Sequence, residues 1–164
     1  MTVRPIRLFG DPVLRTPAEP VVAFDDDLRA LITDLEDTVR VPGRAGVAAP
    51  QIGVGLRAFS YNVGGAVGHL INPVLSGFDG EQDDEEGCLS LPGMGYRTRR
   101  AWAVMATGVD QHGQPLAIGG TGLLARALQH ETDHLNGRLY IDTLTGDVRR
   151  QALHELRRGP RARA

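Results

Sequence analysis

Two histidines four residues apart with a carboxylate between them, in the run Gln129-His130-Glu131-Thr132-Asp133-His134, are the part of this chain best suited to chemistry. On a helix, positions i and i+4 lie one turn apart on the same face, so both imidazoles can reach one metal ion, and Glu131 stands beside them to handle a proton on water. Two protein ligands leave such a centre incomplete. Hydrolytic metal sites commonly hold the ion with three and keep one position for water, so the third has to come from elsewhere. Taken alone, the pattern suits a solvated helix face equally well.

The flanking residues describe the element that must carry it. Leu123, Leu124, Ala127, Leu128 and Leu135 repeat with helical spacing, Thr121 can serve as N-cap, and Gly137 falls where a left-handed residue closes a helix. His130 and His134 continue the row of Leu123 and Ala127, a row this spacing predicts to face inward. A second helix is predicted from Asp25 as N-cap, through Leu28, Leu31, Ile32, Leu35 and Val39, ending at Pro42-Gly43. Before it, residues 1–24, with Gly10-Asp11-Pro12 and prolines at 17 and 20, read as an irregular surface arm.

Between the helices, residues 43–53 are dense in small side chains, where backbone can approach a ligand closely or simply make a tight connection into a strand. No phosphate-loop pattern is present, and Gln51 is the side chain there that could act. Strand-like stretches follow at Leu56 to Tyr61, Val67 to Leu75 with a break at Pro73, and Ala101 to Val109, then a turn at Gln111–Gln114 and a further short strand. Asp83 to Gly93 reads as an acidic loop, solvated or else supplying carboxylate partners to metal ligands. Leu139–Asp142 reads as a short strand. Strands without regular alternation with helices put the fold in the α+β class.

The chain has 164 residues, 41% hydrophobic and 23% charged, with net charge -2, which suits one globular domain and argues against general nucleic-acid binding. No apolar run approaches a membrane span, and the N-terminus lacks a signal-peptide core, so a cytoplasmic location is expected. Cys88 is the one cysteine. It can form no internal disulfide, and on its own it reads as a small buried hydrophobe. From Val148 to Ala164 the chain carries Arg149, Arg150, Arg157, Arg158, Arg161 and Arg163 against Glu155, with Val148, Leu153 and Leu156 as a thin apolar edge. Such a tail is either a solvated helix end or an anionic docking site.

Three segments, Gly46-Val47-Ala48-Ala49-Pro50-Gln51, Glu86-Gly87-Cys88-Leu89-Ser90 and Gln129–His134, together resemble the peptide deformylase family, from about Ile6 to Asp142. The resemblance implies antiparallel sheets packed around a central helix carrying the histidine motif. It also implies removal of the formyl group from the N-terminal formyl-methionine of newly made proteins. By motif position, Cys88, His130 and His134 would hold one divalent metal ion, Fe(II) physiologically, with Ni(II), Co(II) or Zn(II) as substitutes. Glu131 would carry the proton. The Gln51 side chain and the Leu89 backbone N–H would stabilise the oxyanion, and Gly46 and Ala45 would run alongside the substrate. Leu123 and Arg126 would line the methionine pocket, and Glu86 would be a supporting carboxylate.

The same resemblance implies a catalytic unit over residues 1–147, a basic helical tail over 148–164 that docks at the ribosome, and a monomer. This chain departs from the family pattern at Arg44-Ala45-Gly46, in place of Gly-x-Gly, and at Asp84 and Arg126, where many relatives are apolar. The last two either pair with each other at the pocket rim or make the pocket polar and change the preferred side chain. A specialised deformylase for another N-formyl compound, an inhibitor-tolerant paralogue and a non-catalytic metal- or ribosome-binding relative are the alternatives. An ordinary zinc peptidase would need Asp142 or His154 as third ligand.

Overall fold

The Asp25 side chain accepts a hydrogen bond from Leu28 N and so starts α1, Asp26–Val39, whose buried face is Leu28, Leu31, Ile32, Leu35, Thr38 and Val39. Capping and spacing act here as the sequence predicts. The structure, a computed structural model, describes residues 2–158. After α1 come β1 (Gly46–Ala48), a 3-10 turn (Ala49–Ile52), β2 (Ala58–Val63), β3 (Ala66–Asp79), β4 (Gln82–Cys88), β5 (Leu91–Arg100), β6 (Ala103–Val109) and β7 (Pro115–Thr121). The chain then forms α2 (Gly122–Leu135), a 3-10 turn (Tyr140–Thr143) and α3 (Gly146–Arg157). Five strands make one antiparallel sheet in the order β1-β2-β3-β6-β7, and β4 and β5 form a separate hairpin.

Strand alternation puts the two long helices on opposite faces of the larger sheet. Ala48, Phe59, Leu70, Val104, Ala106 and Ile118 pack with Ala125, Leu128 and Leu135 of α2. Their neighbours Val47, Ala58 and Ile71 pack with Leu28, Ile32 and Leu35 of α1. A third cluster, Leu91, Leu139, Tyr140, Ile141, Leu144 and Ala152, ties β5 and the last 3-10 turn to α3. Almost the whole circumference of α2 from Ala125 to Leu135 is buried, Asp133 excepted. The fold is therefore α+β, with antiparallel sheets around the helix that bears both histidines.

Three local expectations are corrected. Asp83 to Gly93 is not a loop but most of the β4–β5 hairpin, in which Asp83 faces Arg99 and Glu85 faces Arg97, so the exposed acidic run is also matched by charge across strands. Leu139–Asp142 does not form a strand: Asp142 accepts from Leu139 N at 2.8 Å and folds the segment into a 3-10 turn. The break expected at Pro73 is a register shift between Ile71 and Val74 within a continuous β3. There Asn72, at φ 52°, turns its side-chain amide onto both backbone groups of Val21 and pins the N-terminal arm.

Gly137 follows α2 at φ 72°, as expected of a closing glycine, and a Cβ there would also meet Arg15 O at 2.7 Å. α3 buries Ala152, and the Arg161 and Arg163 end of the tail lies outside the described residues. No helix among the described residues is long and apolar enough to cross a membrane.

Candidate active site

α2 delivers His130, Glu131 and His134 to one place because the helix is buried nearly all round and cannot turn them to solvent. The two imidazole rings lie edge to face with centroids 4.9 Å apart. Cys88 arrives from the end of β4, its Sγ 3.4 Å from His134 Nε2, and the ligand atoms of Cys88, His130 and His134 all lie within 4.8 Å of one another. A sulfur and two ring nitrogens are electron-pair donors that gain little by facing each other. A cation between them removes that conflict, and a thiolate with two imidazoles suits Fe, Co, Ni or Zn better than Mg or Ca. The donor set therefore fits one transition-metal ion.

Glu86, two residues before Cys88 on β4, is the hub behind these donors. Its buried carboxylate accepts from His130 Nδ1 at 2.7 Å, from Arg100 Nε and Nη2 at 3.0 and 2.7 Å, and from Arg126 Nη1 at 2.7 Å. The bond to Nδ1 leaves the other ring nitrogen of His130 for a ligand. Burial opposes the charge on Glu86, but the hydrogen bonds from His130 and Arg100 outweigh it and hold the carboxyl well below the usual carboxylate range. Arg100 Nη1 reaches on to Asp133 at 2.7 Å. Tyr140 stacks on His130 with ring centroids 6.2 Å apart.

Gln51 is buried on the short 3-10 turn, and its amide is oriented. Oε1 accepts from Ala48 N at 3.0 Å, so Nε2 is presented to Ser90 Oγ at 3.2 Å and Cys88 Sγ at 3.7 Å. Glu131 Oε1 lies 3.9 Å from His130 Nε2, while Oε2 is buried with no hydrogen-bond partner. Burial pushes this carboxyl up to about 7. Gly46 passes so close beneath that a Cβ would stand 2.8 Å from Glu131 Cγ and Oε1. Only hydrogen fits there.

A cleft of about 440 Å³ opens over these groups, with Arg44, Ala45 and Gly46 on one side, Glu86, Cys88 and Leu89 on another, and Leu123, Arg126, His130 and Glu131 along α2. Gln51 lines it as well, and His134 sits behind, 1% exposed. The structure thus brings together every site residue singled out from the sequence. Two details differ. Leu123 is 56% exposed, on the open side of a first turn whose Leu124 and Ala125 already pack on the core, so the inward row begins at Ala127. Arg126 does not pair with Asp84, which lies exposed on β4; it is buried against Glu86 and also donates to Thr98 O at 2.8 Å.

Arg100, Asp133, Ser90 and Tyr140 escaped the sequence reading. For Arg100 a signal existed: on a strand it shares the parity of buried Thr98, whereas Arg97 and Arg99 point out. Asp142 and His154 are not in the ligand cluster, and Asp142 is engaged by Arg15 and Leu139 N.

A family model described as polypeptide deformylase matches residues 3–150. A peptide deformylase of Acidothermus cellulolyticus is 55% identical over 157 residues, covering 96% of this chain and 87% of the relative, and one of Mycolicibacterium paratuberculosis is 45% identical over 170 residues, covering 93% and 86%. Among solved structures, the Legionella pneumophila peptide deformylase superposes with a TM-score of 0.88 at 41% identity, covering 96% of this chain and 95% of that one. The Thermus thermophilus enzyme gives 0.88 at 37%, covering 95% and 94%. A match that runs through all three motif segments and through the fold that joins them leaves one assignment: the chain belongs to the polypeptide deformylase family.

Proposed function

We propose that this chain hydrolyses the formyl amide at the N-terminal methionine of newly made proteins, releasing formate, and that Glu131 is its base. The observation that carries this reading is the buried, unpartnered Glu131 carboxylate beside three convergent ligand atoms and the directed amide of Gln51. A module that only binds has no use for such a base.

Cys88, His130 and His134 would hold one divalent ion, Fe(II) in the cell and Ni(II), Co(II) or Zn(II) in its place. When bound, such an ion supplies Lewis-acid polarisation and lowers the pKa of water toward about 7 from nearly 16. Glu131 takes the proton from the attacking water as the carbon–oxygen bond forms. It returns that proton to the amine nitrogen as the carbon–nitrogen bond breaks. Gln51 Nε2 and the Leu89 N–H donate to the oxyanion, each on the scale of about 3 kcal/mol of transition-state stabilisation. Glu86 fixes the ring of His130. Gly46 and Ala45 receive the peptide at the sheet edge, and Leu123 with the aliphatic stem of Arg126 forms the wall for the methionine side chain.

We assign the catalytic unit to residues 1–147 and ribosome docking to the basic segment 148–164, in a cytoplasmic monomer. The exposed arginines of α3 support the docking role through phosphate contacts. The test is formate release from formyl-Met-Ala-Ser by protein prepared anaerobically with Fe(II), or with Ni(II), against Glu131→Ala. Release that the mutation leaves untouched would refute Glu131 as base. Truncation after Asp147 is expected to abolish co-sedimentation with ribosomes.

A further inference from the structure

Arg44 stands where the cleft continues beyond the pocket for the first side chain, and its place relative to β1 assigns it a partner. β1 is the edge of the larger sheet. Ala45 O is taken by Asn62 N of β2, so by strand alternation the backbone groups of Gly46 face the open side. A peptide with its formyl end at Gln51 and Cys88 that adds to this edge runs antiparallel to β1, from Ala48 back toward Arg44. Its side chains alternate, with a rise of about 3.4 Å per residue. The first enters the cleft near Leu123 and Arg126; the third returns to the same side about 7 Å further on, level with a residue two positions before Gly46.

That residue is the cation Arg44. Arg44 lines the cleft, half-buried, and Nη1 donates to Thr38 O at 3.0 Å. That bond ties the guanidinium to the last turn of α1, just before β1 begins. Among the described residues Arg44 forms no ion pair with a carboxylate, whereas Arg126 in the same region pairs with Glu86 and Arg100 with both Glu86 and Asp133. The carboxylates on the wall are Glu86, held by its arginines and His130, Glu131 at the catalytic end, and Glu85 on the β4 side.

Resting on the deformylase reading, we propose that Arg44 is a specificity residue that selects an acidic side chain at the third position of the formylated peptide. The pairing is half solvent-exposed, so it acts on binding, weakens with salt, and discriminates by severalfold.

The test compares kcat/KM for formyl-Met-Ala-Glu-amide, formyl-Met-Ala-Ala-amide and formyl-Met-Ala-Lys-amide, the amide caps removing the terminal carboxylate. The metal-loaded wild type is set against Arg44→Met and Arg44→Lys at low and high salt. Expected is a Glu-over-Lys preference of about fivefold at low salt, carried in KM, reduced by salt, retained in part by Arg44→Lys and lost in Arg44→Met. Equal rates on the three peptides, or a preference that survives in Arg44→Met, would overturn the role of Arg44 and leave the deformylase reading intact. No formate from any peptide would overturn both.

Discussion

At Gly46 the chain has no side chain because Glu131 occupies the space. An alanine Cβ would lie 2.8 Å from the glutamate, which is confined by the buried helix and cannot swing away without leaving its place beside the ligand cluster. Gly46→Ala is therefore expected to fold normally, by far-ultraviolet circular dichroism and melting temperature, while losing on the order of a hundredfold in formate release as the base is displaced. A mutant of full activity would mean that Glu131 has more freedom than its burial implies. Glu86 acts one step further from the reaction. Its carboxylate fixes His130 through Nδ1, so Glu86→Gln, which retains an acceptor oxygen but loses the charge, should weaken metal binding by about 10–100-fold. Competition with a chromophoric chelator measures this directly, and unchanged affinity would reduce Glu86 to a partner of the arginines alone.

The β4–β5 hairpin is the element that connects these residues, since it carries Glu86, Cys88 and Arg100 and has only one pairing of strands of its own. Arg100 fastens it to α2 by bonding Glu86 on its own sheet and Asp133 on the helix, with its side chain 6% exposed. Without Arg100, Glu86 keeps Arg126 and His130 and Asp133 is partly exposed, so Arg100→Met is expected to cost about 1–3 kcal/mol in urea denaturation. Arg97→Met on the exposed face of the same strand should change stability by no more than about 0.5 kcal/mol. Equal effects would show that the network is not what holds the hairpin.

This hairpin is also where the sequence was least legible. α1 and α2 could be read because capping residues and apolar spacing lie within single segments, at Asp25 and from Leu124 to Leu135. The ligands were legible for a similar reason, each sitting in a short motif. β4 has no apolar alternation to betray a strand: its order depends on Arg97 and Arg99 more than ten residues away, and its buried positions are a glutamine and a glutamate. Arg126 was misassigned for the same cause. Which of Asp84 and Glu86 meets it depends on how the hairpin lies against α2, and local spacing does not contain that.

Over the whole molecule, both ends of the described chain close on the C-terminal end of the helix that bears His134. Ala18 N bonds Leu135 O, and Arg15 pairs with Asp142 in the turn that precedes α3. Asp142 also accepts from Leu139 N, and so joins the arm to the third core cluster. Its burial alone would raise its pKa, but the hydrogen bonds from Arg15 and Leu139 N prevail, and the carboxyl titrates below its ordinary value of 3.8. A carboxyl that binds its proton more weakly when folded adds stability above the unfolded value and loses it as pH falls through the folded one. The pair is partly exposed, so the charge contributes about 1 kcal/mol at most, or roughly 2–4 °C in a chain of this size. Asp142→Asn, which keeps the shape and removes the charge, is therefore expected to melt a few degrees below wild type at pH 7, both proteins carrying the same metal. The gap should close as the pH is taken below 3.8. A gap that stays constant down to pH values where Asp142 is protonated would assign its contribution to hydrogen bonding at Leu139, and the joining of arm to turn would then not depend on charge.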